Sequence, residues 1–483
     1  MTSIEAQKVD YSRKWYVMVA VGAGIFLSTI DGSIVNIALP TLTRSFDTNF
    51  ATVQWVVLAY LLAISTLMLS VGRLADMIGK KPIYTTGFIV FTAGSVLSGL
   101  APGIYWLIGF RVLQAVGAAM ILALGLAIIT ESFPAEERGR ALGISGSIVS
   151  IGIVVGPTLG GFLIDAASWR WIFFVNLPVG IAGTLLAWRF IPNIRPPGGQ
   201  RFDYLGAITF FVSLLSLLLA LTLGQQEGFT DRRVLFLFAA FVIFLVLFIT
   251  IERTALQPMI NLALFKNSRF TVGLITGFIT FVTIAGAIIL MPFYLENVLG
   301  YDTRQVGLLL AAVPIGLGIS APISGSLSDR FGTRPITIIG LMILVFGYLP
   351  MSTLDTRTSA VEFLLLFLPL GIGMGVFQSP NNSAIMGSAP PGRLGIVSGM
   401  IAVTRTIGQT TGIAVMGAIW VSRIIFYAVI DLEGDAANAS AEAQVTALQD
   451  TFLVMAFLMV VALALAVGTF IHERRRQAAA VVS

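Results

Sequence analysis

The sequence predicts an all-α integral membrane protein of fourteen transmembrane helices, two six-helix bundles with two further helices inserted between them. Three observations predict it. The composition is too apolar for a soluble core, apolar runs of spanning length recur along the whole chain, and one loop pattern occurs twice at matching places. Of 483 residues, 57% are hydrophobic and 11% charged, whereas soluble domains run about 45–50% apolar and about 25% charged. Single cores stop growing at a few hundred residues, so the surplus apolar surface has to face lipid.

The first run, from Trp15 to Pro40, holds about 25 residues, enough to cross about 30 Å of hydrocarbon at 1.5 Å per residue. No short apolar region with a small-residue cleavage site precedes it, so no cleaved leader is expected. The runs then fall at 52–71, 83–100, 104–130, 141–163, 172–190, 204–223, 234–251, 270–295, 304–324, 335–353, 361–386, 394–422 and 451–471, separated by charged or Gly/Pro-rich breaks. Continuous hydrophobicity over such lengths means helix, because lipid offers no partner to an unsatisfied backbone group. A membrane barrel would alternate in short segments instead.

Basic residues set the topology. With the N-terminus in the cytoplasm, inner segments carry 20 of the 29 Lys and Arg, from Lys8, Arg13 and Lys14 through Arg195 and Arg201 to Arg474, Arg475 and Arg476. Outer segments carry 7, and Arg111 and Arg405 lie inside helices. The chain is therefore expected in the cell membrane with both termini on the cytoplasmic side, and the net charge of +5 needs no nucleic acid partner. The longest outer loop, roughly 423–450, is acidic and Ala-rich.

The repeated loop reads Gly72-Arg73-Leu-Ala-Asp76-Met77-Ile-Gly79-Lys80-Lys81-Pro82 after helix 2 and Gly325-Ser-Leu-Ser-Asp329-Arg330-Phe-Gly332-Thr-Arg334-Pro335 after helix 10. The shared G-x-L-x-D-x-x-G pattern lies on the same membrane side in both copies, as a parallel repeat requires. Eight helices separate the copies, which yields a six-helix bundle over 1–191, two inserted helices over 192–262 and a second six-helix bundle over 263–483. Glycines permit tight turns and close helix approach, and an Asp there caps a helix or pairs with an Arg. The mechanical reading is a conformational gate of Gly72, Arg73, Asp76, Gly79, Lys80, Asp329 and Arg330. The plain reading is a charged hairpin.

With these residues on the page, the chain resembles the major facilitator superfamily, and within it the fourteen-helix drug:proton antiporters. The first loop is similar to the superfamily's signature, departing at Met77, where an arginine is usual. The stretch Asp31-Gly-Ser-Ile-Val-Asn36-Ile-Ala-Leu-Pro40 resembles the acidic helix 1 motif of the fourteen-helix exporters. Arg111-Val-Leu-Gln114-Ala-Val-Gly117 is similar to a helix 4 motif linked to proton transfer, with the glycine shifted. Gly152-Ile-Val-Val-Gly156-Pro157-Thr-Leu-Gly160-Gly161 looks like the helix 5 antiporter motif, and Trp169 to Pro178 resembles a stretch typical of the branch. The resemblance implies a proton-coupled exporter of small lipophilic compounds working by alternating access.

Among the acids only Asp31 sits deep in a helix, and an ionisable group at that depth is a functional hypothesis by default. Asp31 lies about 21 Å and Arg111 about 19 Å from the cytoplasmic edge, so a pair across helices 1 and 4 is allowed. Burial favours the neutral acid and a guanidinium favours the carboxylate, which makes a proton site sensitive to conformation. The alternative is a structural salt bridge, a poor source of stability when buried. Helix 5 is expected to kink at Pro157 and to pack tightly through its glycines. Gln54, Trp55, Tyr60, Gln114, Phe377, Gln378, Asn381 and Asn382 are candidates to line a lipophilic cavity. Arg405 either faces that cavity or satisfies carbonyls at a broken helix.

Cysteine is absent and the single histidine, His472, lies in the C-terminal tail. Thiolate and histidine metal sites, disulfides and most histidine catalysis are thereby excluded. No cofactor is expected. No Ser/His/Asp set, HExxH or paired membrane aspartates supports an intramembrane enzyme. The expected partners are a small-molecule cargo, the proton and the bilayer; a periplasmic adaptor is neither called for nor excluded. An exporter or uptake transporter of a lipid or metabolite on the same fold stays open.

Overall fold

Helices account for all the regular structure among the described residues. The structure is a computed structural model and describes residues 11–48, 50–194, 202–255, 257–260, 262–390, 392–427 and 440–482. Lys8, Arg195 and Arg201, which entered the charge count, lie outside them, as does 428–439 of the acidic outer loop.

The elements are α1 (Lys14–Ser45), α2 (Phe50–Ile78), α3 (Lys80–Gly99), α4 (Ile104–Ser132), α5 (Arg138–Ala166), α6 (Trp171–Phe174), α7 (Asn176–Phe190), α8 (Tyr204–Glu227), α9 (Arg232–Thr254), α10 (Ser268–Phe293), α11 (Thr303–Leu310), α12 (Ala312–Phe331), α13 (Thr333–Met351), α14 (Ala360–Gly387), α15 (Leu394–Tyr427) and α16 (Ala441–Val482). Thirteen described helices or helix pairs are long and apolar enough to cross a membrane, with α6 and α7 forming one and α11 and α12 another. The expected fourteenth, α3, has the length, but Ser, Thr and Gly along it and its opening Lys80-Lys81-Pro82 dilute its hydropathy. The last helix is longer than its apolar run of 451–471, because the helix-favouring residues on either side continue it in polar surroundings. Pro157 lies inside α5 without ending it.

The chain divides into two units. The first comprises Met1–Leu215, Phe241–Leu262 and Ala389–Val403; the second comprises Ser216–Ala240, Ala263–Ser388 and Thr404–Ser483. The first unit has a core of Ile34, Val35, Val53, Val56, Leu107, Trp169 and Phe173, all under 5% exposed. The second unit's core includes Phe281, Tyr348, Phe363, Phe367, Phe377, Trp420 and Phe452. The outward faces are as apolar as the cores: Phe236, Phe346, Leu365 and Phe457 are each at least 65% exposed. Water would not tolerate that surface, whereas lipid does. Apolar association between helices gains little in lipid, so close packing has to hold them together.

Both repeated loops turn alike. Gly79 at φ 106° ends α2 and opens α3, and Gly332 at φ 90° ends α12 and opens α13. Each donates its N–H four residues back, to Ala75 and to Ser328, at 2.9 Å. A side chain is strained at such a φ, so this glycine of the pattern is a backbone requirement.

Candidate functional site

The deepest charges of the first unit meet in one network. Arg111 Nη1 on α4 donates to Asp31 Oδ2 on α1 at 2.6 Å, and both side chains are wholly buried. The other carboxylate oxygen accepts from Gln114 Nε2 at 2.8 Å and from Asn176 Nδ2 at 3.0 Å. Arg111 Nη1 also donates to Gln114 Oε1 at 2.8 Å, and its Nε donates to the Val56 carbonyl on α2 at 3.2 Å. The guanidinium carbon lies 3.8 Å from the Tyr60 ring centroid. Asn176 is fixed in turn by donating to Ser95 Oγ on α3, which donates to the Phe173 carbonyl. Helices α1, α4 and α7 thus supply the ion pair and the side chains bonded to it, α3 fixes Asn176, and α2 adds a carbonyl and a ring. Arg111 Nη2 keeps no hydrogen-bond partner among the described residues. A buried carboxylate taking three hydrogen bonds is held firmly in place, and removing either partner of the pair is costly.

The α5 glycines bring that helix against α1. A Cβ on Gly156 would run into the Ser33 side chain, and one on Gly152 would sit 2.9 Å from Thr29 Cβ. Ser33 Oγ donates to the Gly152 carbonyl at 3.1 Å. Gly160 faces Ile34 in the same stripe, whereas Gly161 points to open space. This contact lies directly beside the turn of α1 that carries Asp31.

At the Gly79 end of α2 a second network forms. Gly72 and Gly395 bring α2 and α15 together backbone to backbone; a Cβ on Gly72 would lie 2.5 Å from the Gly395 carbonyl oxygen. The residue preceding α15, Arg393, has no acceptor to cap the helix. Asp76 does so from α2: Oδ1 accepts from the Gly395 N–H at 2.8 Å and Oδ2 from the Ile396 N–H at 2.9 Å. A carboxylate on these first N–H groups is also favoured by the helix dipole. Lys80 Nζ bridges Asp76 at 3.3 Å and Glu131 of α4 at 2.8 Å. Arg73 is 1% exposed and lies within electrostatic reach of Arg393, Asp76, Glu252 and Asp203.

The second copy of the pattern lies at the end of α12. Asp329 is half-buried, and Arg330 is exposed with its guanidinium 5.3 Å from the Phe331 ring centroid. The ionic contacts nearby run through Glu473 of α16, which pairs with Arg334 at the start of α13 and with Arg269 at the start of α10. Of the cavity candidates, Gln114 and Tyr60 belong to the Asp31 network and Phe377 to the second unit's core. Asn381 is buried and donates to the Gly273 carbonyl at 3.0 Å, and Gln54, Trp55, Gln378, Asn382 and Arg405 are half-buried. Sequence reasoning missed Ser95, Glu252 and Glu473, and quoted Asn176 only as part of a motif.

A many-helix membrane protein with a sealed carboxylate–guanidinium pair and a paired loop motif is a polytopic transporter, and comparison with known proteins agrees. The sequence profile of the Major Facilitator Superfamily matches residues 21–413, and the chain belongs to that superfamily. It is 34% identical over 415 residues to the riboflavin transporter RibZ of Clostridioides difficile (strain 630), covering 86% of this chain and 90% of that one. To the multidrug transporter protein MdtP of Bacillus subtilis (strain 168) it is 33% identical over 400 residues, 83% of this chain and 74% of the relative. Among solved structures, the human organic anion transporter MFSD10 superimposes with a TM-score of 0.66 at 14% identity, over 92% of this chain and 99% of that one, which speaks to the fold.

Proposed function

We propose that the chain is a proton-coupled antiporter of the fourteen-helix drug:proton branch, exporting small lipophilic compounds across the cell membrane by alternating access. The observation that carries this reading is the Asp31 site: a carboxylate with no exposure, held by Arg111, Gln114 and Asn176. A stability device gains little from such a pair, whereas a carrier gains a group whose proton affinity changes when its neighbours move. Similarity to MdtP supports a multidrug-type cargo.

In this reading Asp31 binds the incoming proton, the pair with Arg111 loosens, and the change reaches the latch of Gly72, Asp76 and Gly395. Asp76 stabilises one conformation by capping α15 and has to release it in the other, with Arg73, Gly79, Lys80, Asp329 and Arg330 as the rest of the gate. The α5 stripe of Gly152, Gly156 and Gly160, with Pro157, keeps the wall beside Asp31 dry, and Gly161, which faces open space, takes no part in it. Tyr60 and Gln114 belong to the proton site and Phe377 to the second unit's core, which leaves half-buried Gln378 and Arg405 as that unit's cargo candidates. The chain is organised as 1–191, 192–262 and 263–483 with both termini cytoplasmic. Each proton moved inward contributes about 2.3 kcal/mol per 100 mV.

The second reading is export or uptake of a metabolite, favoured by the similarity to RibZ over 86% of the chain. A susceptibility panel in a host lacking its own exporters tests both, followed by inside-out vesicles carrying a pH-sensitive dye. Cargo that collapses a preformed proton gradient supports antiport. Collapse by riboflavin-like compounds alone moves the assignment to the second reading, and no collapse by any transported cargo refutes proton exchange.

A further inference from the structure

The inserted pair α8–α9 has a specific attachment to the latch. Glu252, in the last turn of α9, is 4% exposed. Its two oxygens accept from the backbone N–H groups of Met259, at 3.2 Å, and Ile260, at 3.0 Å. The segment so held is the link between α9 and α10. Its Pro258 carbonyl accepts from Arg393 Nη1 at 3.3 Å, and Arg393 immediately precedes the α15 turn that Asp76 caps. The start of α8 joins the same cluster. Asp203 accepts from the Gly206 N–H at 2.8 Å, and a Cβ on Gly206 would meet both Asp203 Oδ2, at 2.5 Å, and Glu252 Oε1, at 2.8 Å. Arg73 of the latch lies in the field of both acids.

A carboxylate near a helix end that accepts two loop N–H groups can be nothing more than a local fastening of the loop. Here the fastened loop itself holds Arg393, the residue immediately before the α15 turn that Asp76 caps, and the carboxylate lies within electrostatic reach of Arg73 on a different helix. A loop fastening alone does not account for the hold on Arg393.

We infer that the inserted hairpin braces the α2–α15 latch, with Glu252 as the positioning residue that holds Pro258–Ile260 against Arg393. This rests on the latch reading of Asp76. The two inserted helices then set how readily the latch opens, while cargo and proton chemistry stay elsewhere.

The chain has no cysteine, so Ser398→Cys, wholly buried in the early turns of α15, is a single reporter of latch opening. N-ethylmaleimide labelling in isolated membranes is slow in this parent and rises roughly tenfold or more in Asp76→Asn, the effect of losing a hydrogen bond to a charged group. Glu252→Ala raises labelling comparably, and Glu252→Gln, which keeps the shape and one acceptor oxygen, raises it less. Should Glu252→Ala fail to reach the membrane, Glu252→Gln carries the test alone. Glu252 and Arg393 act through one segment, so Glu252→Ala combined with Arg393→Ala labels no faster than the faster single variant. Parent-like labelling in both Glu252 variants beside a raised Asp76→Asn overturns the brace and leaves the latch standing. A multiplied effect in the double variant also overturns the brace. Unchanged labelling in Asp76→Asn overturns the latch and the brace with it.

Discussion

Asp31→Asn separates a proton carrier from a salt bridge. Asparagine fits the site, but it replaces one acceptor oxygen with an N–H donor where Asp31 accepts from Arg111 on one side and from Gln114 and Asn176 on the other. Either orientation sets a donor against a donor, and the buried guanidinium loses its counter-charge. Removing one partner of a buried pair costs about 3–5 kcal/mol. Adding Arg111→Gln removes the orphaned charge, so most of that loss returns in the double variant. Transport does not return with it. A neutral cargo exchanged for one proton at 100 mV is concentrated about fiftyfold, and without a titratable group that ratio falls to one. The assay pairs thermal unfolding in detergent with dye-reported counterflow in inside-out vesicles. Export at the parent rate in Asp31→Asn, or recovery of both stability and counterflow in the double variant, refutes the coupling role and leaves a structural ion pair.

Three further outcomes follow from the same contacts. Gly72→Ala drives a Cβ to 2.5 Å from the Gly395 carbonyl oxygen, so transport falls about fivefold or more, the effect of some 1–3 kcal/mol of overpacking, while membrane insertion measured by blotting is unchanged. Gly156→Ala pushes against Ser33 and parts α5 from α1; it raises the cargo-independent proton leak seen by the same dye, and an unaltered leak removes α5 from the seal. Glu473→Gln costs little, within about 1 kcal/mol by thermal unfolding, because its partner Arg269 is about half exposed. A loss several times larger makes the Arg334 contact a structural anchor.

What the sequence disclosed depends on how conspicuous each residue is. Asp31 and Arg111 stand out because a charge inside an apolar run is costly, and helix rise alone brings them to one depth. The glycines of the repeated loop stand out through repetition. Asn176 and Ser95 were not distinguishable in their roles, because a small polar residue in a membrane helix ordinarily bonds its own backbone, as Thr29, Ser65 and Thr66 do. Glu252 lies in the last turn of α9 and Glu473 just past the last apolar run, places where acids are ordinary. Asp76 was marked as a capping residue, but its target, the start of α15, is 319 residues away in the chain. Beside the second loop, the ion pairs of Arg334 and Arg269 run to Glu473, which no spacing rule connects to the pattern. Every helix of the count was readable, α3 included as the run 83–100, but the Ser, Thr and Gly along α3 leave thirteen candidate spans rather than fourteen.

The joint between α2 and α15 is made at Gly72 and Gly395, where main chain meets main chain. Surfaces that interlock through side chains have to withdraw knobs from holes and change rotamers before they part. Bare backbone has none to withdraw, so little friction opposes separation, and what resists it is concentrated in the two N–H groups gripped by Asp76. In the gate proposed above, such a joint serves as a clasp: firm while its catch is engaged, quick to release, and able to re-form many times in the same register.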